Sequence, residues 1–148
     1  MKIAVGSDMN THLAQAVVEA LKKMGHEVTV YGALVAMPAL WTKVAIEVAE
    51  KVAAGQYGQA VLFCWTGTGI SLAANKVRGI RAALCCDAQT AAGARKWNDA
   101  NILCMSLRAT SDEVAKEILA AWFSNTPSTD EEDVACLTYL EQWEKEHL

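Results

Sequence analysis

The sequence predicts one doubly wound α/β domain, and three observations lead there. Short apolar runs alternate with amphipathic helical segments along the whole chain. The third run, QAVLFC (59–64), is almost continuously apolar, as suits a strand covered on both faces of a parallel sheet. Glycines fall where runs and helices end, at Gly25, Gly32, Gly55 and Gly67.

KIAVGS (2–7) reads as a strand that turns at Gly-Ser-Asp. Leu13, Val17 and Leu21 recur every four residues and predict a helix over 11–24, closed by Gly25. EVTVYG (27–32) alternates as a strand does. Residues 33–41 read as irregular around Pro38, and 42–54 as a helix. After QAVLFC comes a glycine loop and a short helix reaching Lys76. RAALCC (81–86) is a fourth strand, 88–96 a helix and NILCMS (101–106) a fifth strand. Val114, Ile118 and Trp122 mark a further helix, and Val134, Leu137 and Leu140 a last one over 131–147 with an acidic flank. The whole is a single Rossmann-like domain, 1–148, with a five-stranded parallel sheet and helices on both faces.

Composition excludes several classes. The chain has 148 residues, 53% of them hydrophobic, yet no apolar run long enough to span a membrane. The start, MKIAVGSD, reaches Asp8 too early for a signal peptide, so the expected location is cytoplasmic. Five cysteines without C-x-x-C spacing read as reduced thiols, and neither a metal site nor a cofactor is expected. A net charge of −4 without any basic run argues against nucleic acid as a partner.

In such sheets ligands bind beyond the carboxyl ends of the strands. That draws attention to Ser7-Asp8, to Cys64 through Ser71, to Cys86-Asp87 and to the segment near Asn98, all expected to meet in space. The loop Trp65-Thr66-Gly67-Thr68-Gly69-Ile70-Ser71 can turn its backbone N–H groups toward one spot. Such a nest holds a phosphate or an oxyanion formed during reaction, although a glycine loop alone also serves merely as a turn. It is neither a P-loop nor a G-x-G-x-x-G fingerprint. Cys64 beside those dipoles is a base or nucleophile if its thiolate is stabilised, and a small space-filler if it is not. As a base it is expected to be partly exposed.

Three blocks carry a resemblance. MKIAVGSD, VLFCWTGTGISLAANKVRGIRAALCCD (61–87) and WNDANILCMS (97–106) are similar to the family of ribose-5-phosphate isomerase B and the galactose-6-phosphate isomerase subunits. The resemblance implies a metal-independent aldose–ketose isomerase working through a cis-enediolate. It implies Cys64 as the proton-transferring base and Thr66 as an aid to ring opening. The N–H groups of Gly67, Thr68, Gly69, Ile70 and Ser71 would hold the oxyanion, and Asp8 and Asn98 would contact sugar hydroxyls. It also implies a homodimer with shared active sites, the C-terminal helix packing on the partner subunit.

The chain departs from the family pattern where the substrate is gripped. Met9 stands where the family has a phosphate-binding histidine, and Trp97 where it has a ring-opening histidine. No arginine follows Arg108, and TDEEDVACLTYLE occupies the region of the family's phosphate clamp. The family's acidic-aromatic pair is missing around Ala36-Met37-Pro38. His12 and Arg108 are the possible substitutes for anion contact, while Trp65 and Trp97 are expected to narrow the pocket or stack on the ligand. Three functions stay open: an isomerase for a sugar or sugar phosphate other than ribose 5-phosphate, an ordinary ribose-5-phosphate isomerase with rearranged anchors, and a catalytically silent ligand-binding relative.

Overall fold

The computed structural model of the chain describes all residues from Met1 to Leu148. Five parallel strands, β1 (Lys2–Ser7), β2 (Glu27–Gly32), β3 (Gln59–Cys64), β4 (Ala82–Leu84) and β5 (Ile102–Ser106), form one sheet in the order β2-β1-β3-β5-β4. The helices are α1 (His12–Lys23), α2 (Trp41–Ala53), α3 (Thr68–Ala74), α4 (Ala88–Asn98), α5 (Asp112–Phe123) and α6 (Glu131–His147). The strand count, the parallel sense and the helix order are those expected. No helix is long and apolar enough to cross a membrane.

The period-two alternation of the strands divides the interior into two cores. Ile3, Val5, Val61, Phe63, Leu103 and Met105 face α1, α4 and α5, around the fully buried Trp122. Ala4, Ala60, Leu62, Cys64, Ile102 and Cys104 face α2 and α3. Trp122 is the largest side chain of the first core, and its indole N–H is satisfied by Gln59 Oε1 at 2.7 Å. Both partners are polar groups that burial would otherwise penalise.

The chain winds from β1 outward to β2, then crosses to β3 on the other side of β1. The switch point therefore lies between β1 and β3, and their carboxyl ends carry Asp8 and Cys64. Helices return the chain to the opposite edge. Three of them begin at a side-chain cap: Thr11 Oγ1 accepts from Ala14 N, Asp87 Oδ1 from Thr90 N, and Ser111 Oγ from Val114 N.

Two expectations need correction. The fourth strand is shorter than 81–86, because β4 is the sheet's edge and pairs with β5 only from Ala82 to Leu84. Beyond it the Cys85 amide still donates to Cys104 O, but the chain is already turning toward the Asp87 cap. The other correction concerns Asn98. It ends α4 at the amino edge of the sheet, since α4 runs back from the carboxyl end of β4 to the start of β5. Ile102 pairs with Ala60, whereas Cys64 pairs with Ser106 four residues further on. At about 3.3 Å per residue those levels are about 13 Å apart. One chain does not bring Asn98 to Cys64.

Candidate active site

Cys64 closes β3, and its Sγ accepts a hydrogen bond from the Gly67 amide at 3.2 Å. That contact exists because Gly67 adopts a left-handed conformation, φ 77°, which turns the chain sharply back over the thiol. A side chain there would meet Leu84 Cδ1 at 2.5 Å and the backbone of Met105 and Ser106 at 3.0 and 3.1 Å. Only glycine fits. Cys64 is 5% exposed in the single chain, so the partly exposed thiol expected from sequence is corrected to a buried one under its loop.

The loop is clamped to the strand beside it. Leu107 N donates to Cys64 O and Arg108 N to Trp65 O, both at 3.0 Å. The Ser106 hydroxyl donates to Trp65 O at 2.9 Å and accepts from Ala109 N at 3.1 Å. Thr66 and Thr68 share a hydroxyl–hydroxyl bond of 2.8 Å, and Ser71 Oγ donates to Thr68 O at 2.9 Å. The amides of Thr68, Gly69 and Ile70 open a helix and have no intrahelical acceptor. Those amides, beside a sulfur that already accepts one N–H, are the arrangement that stabilises negative charge.

Asp8 follows β1 and lies in register beside Cys64, since Ser7 pairs with Phe63. The strand alternation sends Ala4, Leu62 and Cys64 toward the α2–α3 side, and Asp8 is the first residue past β1. Ser7 fixes the turn: its Oγ donates to Met9 O at 2.5 Å and accepts from Met9 N at 3.2 Å. Asp8 Oδ1 is buried without a hydrogen-bond partner. Desolvation raises the Asp8 pKa above the ordinary carboxylate value, partly offset by its own backbone amide. Met9 is exposed at the same turn.

The remaining candidates divide between two places. Trp65, in the loop, is 53% exposed. Arg108 follows β5 at the same edge, anchored there by its backbone bond to Trp65, with no ion-pair partner for its guanidinium. His12 is at this edge too, but its Nε2 is 2.7 Å from Asp112 Oδ2, so an anion would compete with a carboxylate for it. Trp97 and Asn98 line a cavity of about 620 Å³, which is not at Cys64. It lies between α6, the start of β4 and the end of α4, and Leu137, Leu140 and Trp143 also face it.

Its charged rim is internally paired. Arg81 donates to Asp99 O at 2.8 Å and meets Asp99 Oδ2 at 3.2 Å. Arg95 meets Asp99 Oδ1 at 3.2 Å and also binds Ala100 O. These bonds hold Asp99 in a left-handed backbone conformation, φ 43°, and consume two of the four arginines. No three His, Cys, Asp or Glu side chains gather closely enough to hold a metal ion.

Sequence reasoning missed two contributors. Trp41 packs over Gly69, its ring 3.2 Å from where a Cβ would stand, and so forms a wall of the loop. Ser106 is the loop's clamp. A serine ending a strand before a turn is a recognised local signal, but its bond reaches 41 positions back, which no local pattern foretells.

Comparisons with known proteins show the family and the fold. The model of the ribose/galactose isomerase family matches residues 3–135. A ribose-5-phosphate isomerase B of Listeria innocua is 36% identical over 126 residues, covering 84% of this chain and 85% of the relative. A D-erythrulose-4-phosphate isomerase of Pectobacterium atrosepticum is 36% identical over 124 residues, covering 82% of each. Among solved structures, ribose-5-phosphate isomerase B of Clostridium thermocellum superposes with a TM-score of 0.92 at 34% identity, over 100% of both chains.

Proposed function

The chain belongs to the ribose/galactose isomerase family and is an aldose–ketose isomerase, and from that premise we propose that Cys64 is its base and an open-chain sugar its substrate. The observation that carries the first half is the 3.2 Å bond from the Gly67 amide to Cys64 Sγ. A thiolate so held takes the proton from C2 of the aldose and returns it to C1 on the same face. The amides of Thr68, Gly69 and Ile70 take up the charge of the cis-enediolate, with Thr66 and Ser71 completing the loop. Asp8 and Trp65 border the reacting carbons, and Arg108, whose backbone binds Trp65 O, is a cation for an anionic substrate terminus.

The substrate half rests on the three histidines. Opening a furanose ring needs an acid–base group at the ring oxygen, and histidine is the usual one near pH 7. His12 is paired with Asp112, His26 packs at a tilt against Phe123, and His147 stacks on Trp143. His12 stands at the Cys64 edge but is held by Asp112, and no histidine lines the cavity beside Trp97. A substrate that cannot close a ring needs no such group. Tetrose 4-phosphates meet that condition, because the hydroxyl that would close a five-membered ring is esterified. The Pectobacterium relative is named for such a compound.

Because Trp97 and Asn98 sit at the opposite edge from Cys64, their part in the site requires a second copy of the chain. The proposed assembly is a homodimer in which the cavity under α6 of one subunit faces the Cys64 loop of the other. Trp97, Leu137, Leu140 and Trp143 then form an aromatic and apolar wall where a phosphate clamp is absent.

The test is a panel of D-erythrose 4-phosphate, D-ribose 5-phosphate, D-galactose 6-phosphate and the corresponding free sugars, with ketose formation measured. Tetrose phosphate is expected to be turned over at least tenfold more efficiently than ribose 5-phosphate. The second reading, an ordinary ribose-5-phosphate isomerase, has the Listeria and Clostridium likenesses in its favour. It is restored if ribose 5-phosphate is the better substrate and reaches about 10⁴ M⁻¹s⁻¹ or above in kcat/KM. Inactivity across the panel leaves the silent relative.

A further inference from the structure

Aldose–ketose isomerisation moves two protons, and the base proposed above accounts for one. This inference rests on that reading. As the C2–H bond breaks, Cys64 takes the proton, the electron pair forms C1=C2, and O1 becomes the oxyanion. Before C2=O can form, O2 must lose its proton and O1 must gain one. Cys64 holds the carbon proton throughout, so a second group has to serve the oxygens.

The polar groups at the carboxyl edge are mostly committed. Thr66 and Thr68 bond each other, and the hydroxyls of Ser7, Ser71 and Ser106 all donate to backbone carbonyls. Asp87 caps α4 and Asp112 holds His12. Arg108 does not give up its proton near neutral pH. Asp8 differs from all of these. Its Oδ1 is buried and unpartnered, its turn is fixed by Ser7, and its backbone lies one strand spacing, about 4.8 Å, from that of Cys64. A buried carboxylate oxygen without a donor costs stability and awaits one. Two adjacent hydroxyls held against Cys64 supply it.

We propose that Asp8 is a second catalytic residue, the relay that carries a proton from O2 to O1 of the enediolate and back in the reverse reaction. The Asp8 carboxylate accepts the O2 proton, and the same carboxyl then protonates O1. The electrons left on O2 collapse to C2=O, and C1 recovers the proton from the Cys64 thiol. Both residues return to their starting states, with no net proton taken up or released. The raised pKa of Asp8 brings its carboxyl closer to the basicity such an exchange needs.

Asp8→Asn separates this role from simple binding of a hydroxyl. It preserves shape and hydrogen bonding but cannot carry the proton. The assay uses the best sugar of the panel in D₂O. Deuterium entering the recovered aldose at C2 reports Cys64, and ketose formation reports the complete reaction. For Asp8→Asn, exchange is expected to stay within threefold of wild type while ketose formation falls at least ~10²-fold, with KM changed less than threefold. Cys64→Ser is expected to lose both signals. An unfolding midpoint of Asp8→Asn at or above wild type excludes damage to the fold, since the change removes a half-buried charge whose Oδ1 has no donor. The relay is overturned if exchange and ketose formation fall together with a raised KM, which makes Asp8 a hydroxyl-binding group only. Turnover within tenfold of wild type overturns it equally. If the wild-type protein neither exchanges nor isomerises any panel sugar, the proposed function itself has failed, a result distinct from both.

Discussion

Five thiols of one chain experience very different surroundings, and the differences are chemical. Burial pushes Cys85 up to about 12 and holds Cys104 well above the usual thiol range, so both stay protonated and inert at neutral pH. Cys86 and Cys136 are exposed. Cys64 alone has an amide donor aimed at its sulfur, from Gly67. Iodoacetamide is therefore expected to label Cys86 and Cys136 first and Cys64 next, with substrate protecting Cys64. Cys85 and Cys104 should react only on unfolding. Cys64→Ala is expected to leave the fold standing and lower turnover by ~10²–10⁴-fold, the usual contribution of a positioned base. Gly67→Ala should lose stability by about 2 kcal/mol or more, because left-handed φ and a crowded Cβ act together. Near-normal activity in Cys64→Ala, or labelling of Cys64 only together with Cys104, would show that the sulfur merely fills space.

At the scale of elements, the two ends of the chain behave differently. The strands and the first five helices were legible because a parallel sheet buries both faces, leaving continuous apolar runs such as QAVLFC and four-residue stripes such as Leu13-Val17-Leu21. The edge strand was overextended because apolar residues continue past the point where pairing stops, as Cys85 and Cys86 do. The loop and its thiol were legible from glycine spacing, but the wall made by Trp41 and the separation of Asn98 from Cys64 depend on which way α2 and α4 run. Helix α6 is the outlier: it has no buried residue, and Tyr139, Leu140 and Trp143 are 72%, 50% and 44% exposed. Its tie to the body includes a bond from Gly79 N to Glu144 Oε1 at 2.6 Å. A lone helix of 17 residues is marginal in water, so this face wants a cover. Under the proposed assembly that cover is the second subunit. Leu140→Glu is expected to keep the circular dichroism spectrum of the wild type while shifting sedimentation from dimer to monomer. An unchanged dimer would remove α6 from the interface.

Under the proposed assembly, the molecule as a whole carries two half-sites at opposite edges of one sheet. One holds the proposed base Cys64, the Asp8 carboxyl with its unpartnered Oδ1 and a nest of amides, but little to grip a sugar's far end. The other holds Trp97, Asn98 and a largely apolar cavity of about 620 Å³, whose lining also includes Cys136 and a charged rim. A two-fold axis is the simplest operation that joins unlike edges of two identical chains, because it makes both junctions at once. If active sites form across that axis, two differently damaged subunits can repair each other. Cys64→Ala removes the base and leaves the Trp97 half intact. Trp97→Asp does the reverse, placing a charge in the apolar wall. Each variant alone is expected to be nearly inactive. In an equimolar mixture, after reversible dissociation and reassociation, half of the dimers are heterodimers. Each heterodimer carries one site built from two intact halves and one built from two damaged halves. Recovery should therefore approach about a quarter of wild-type activity by this statistical count, given random pairing of subunits. The rise should follow the rate of subunit exchange. A mixture that stays as inactive as its components, while sedimentation shows heterodimers present, would mean that each chain completes its own site and that Trp97 acts only through the fold of its own subunit.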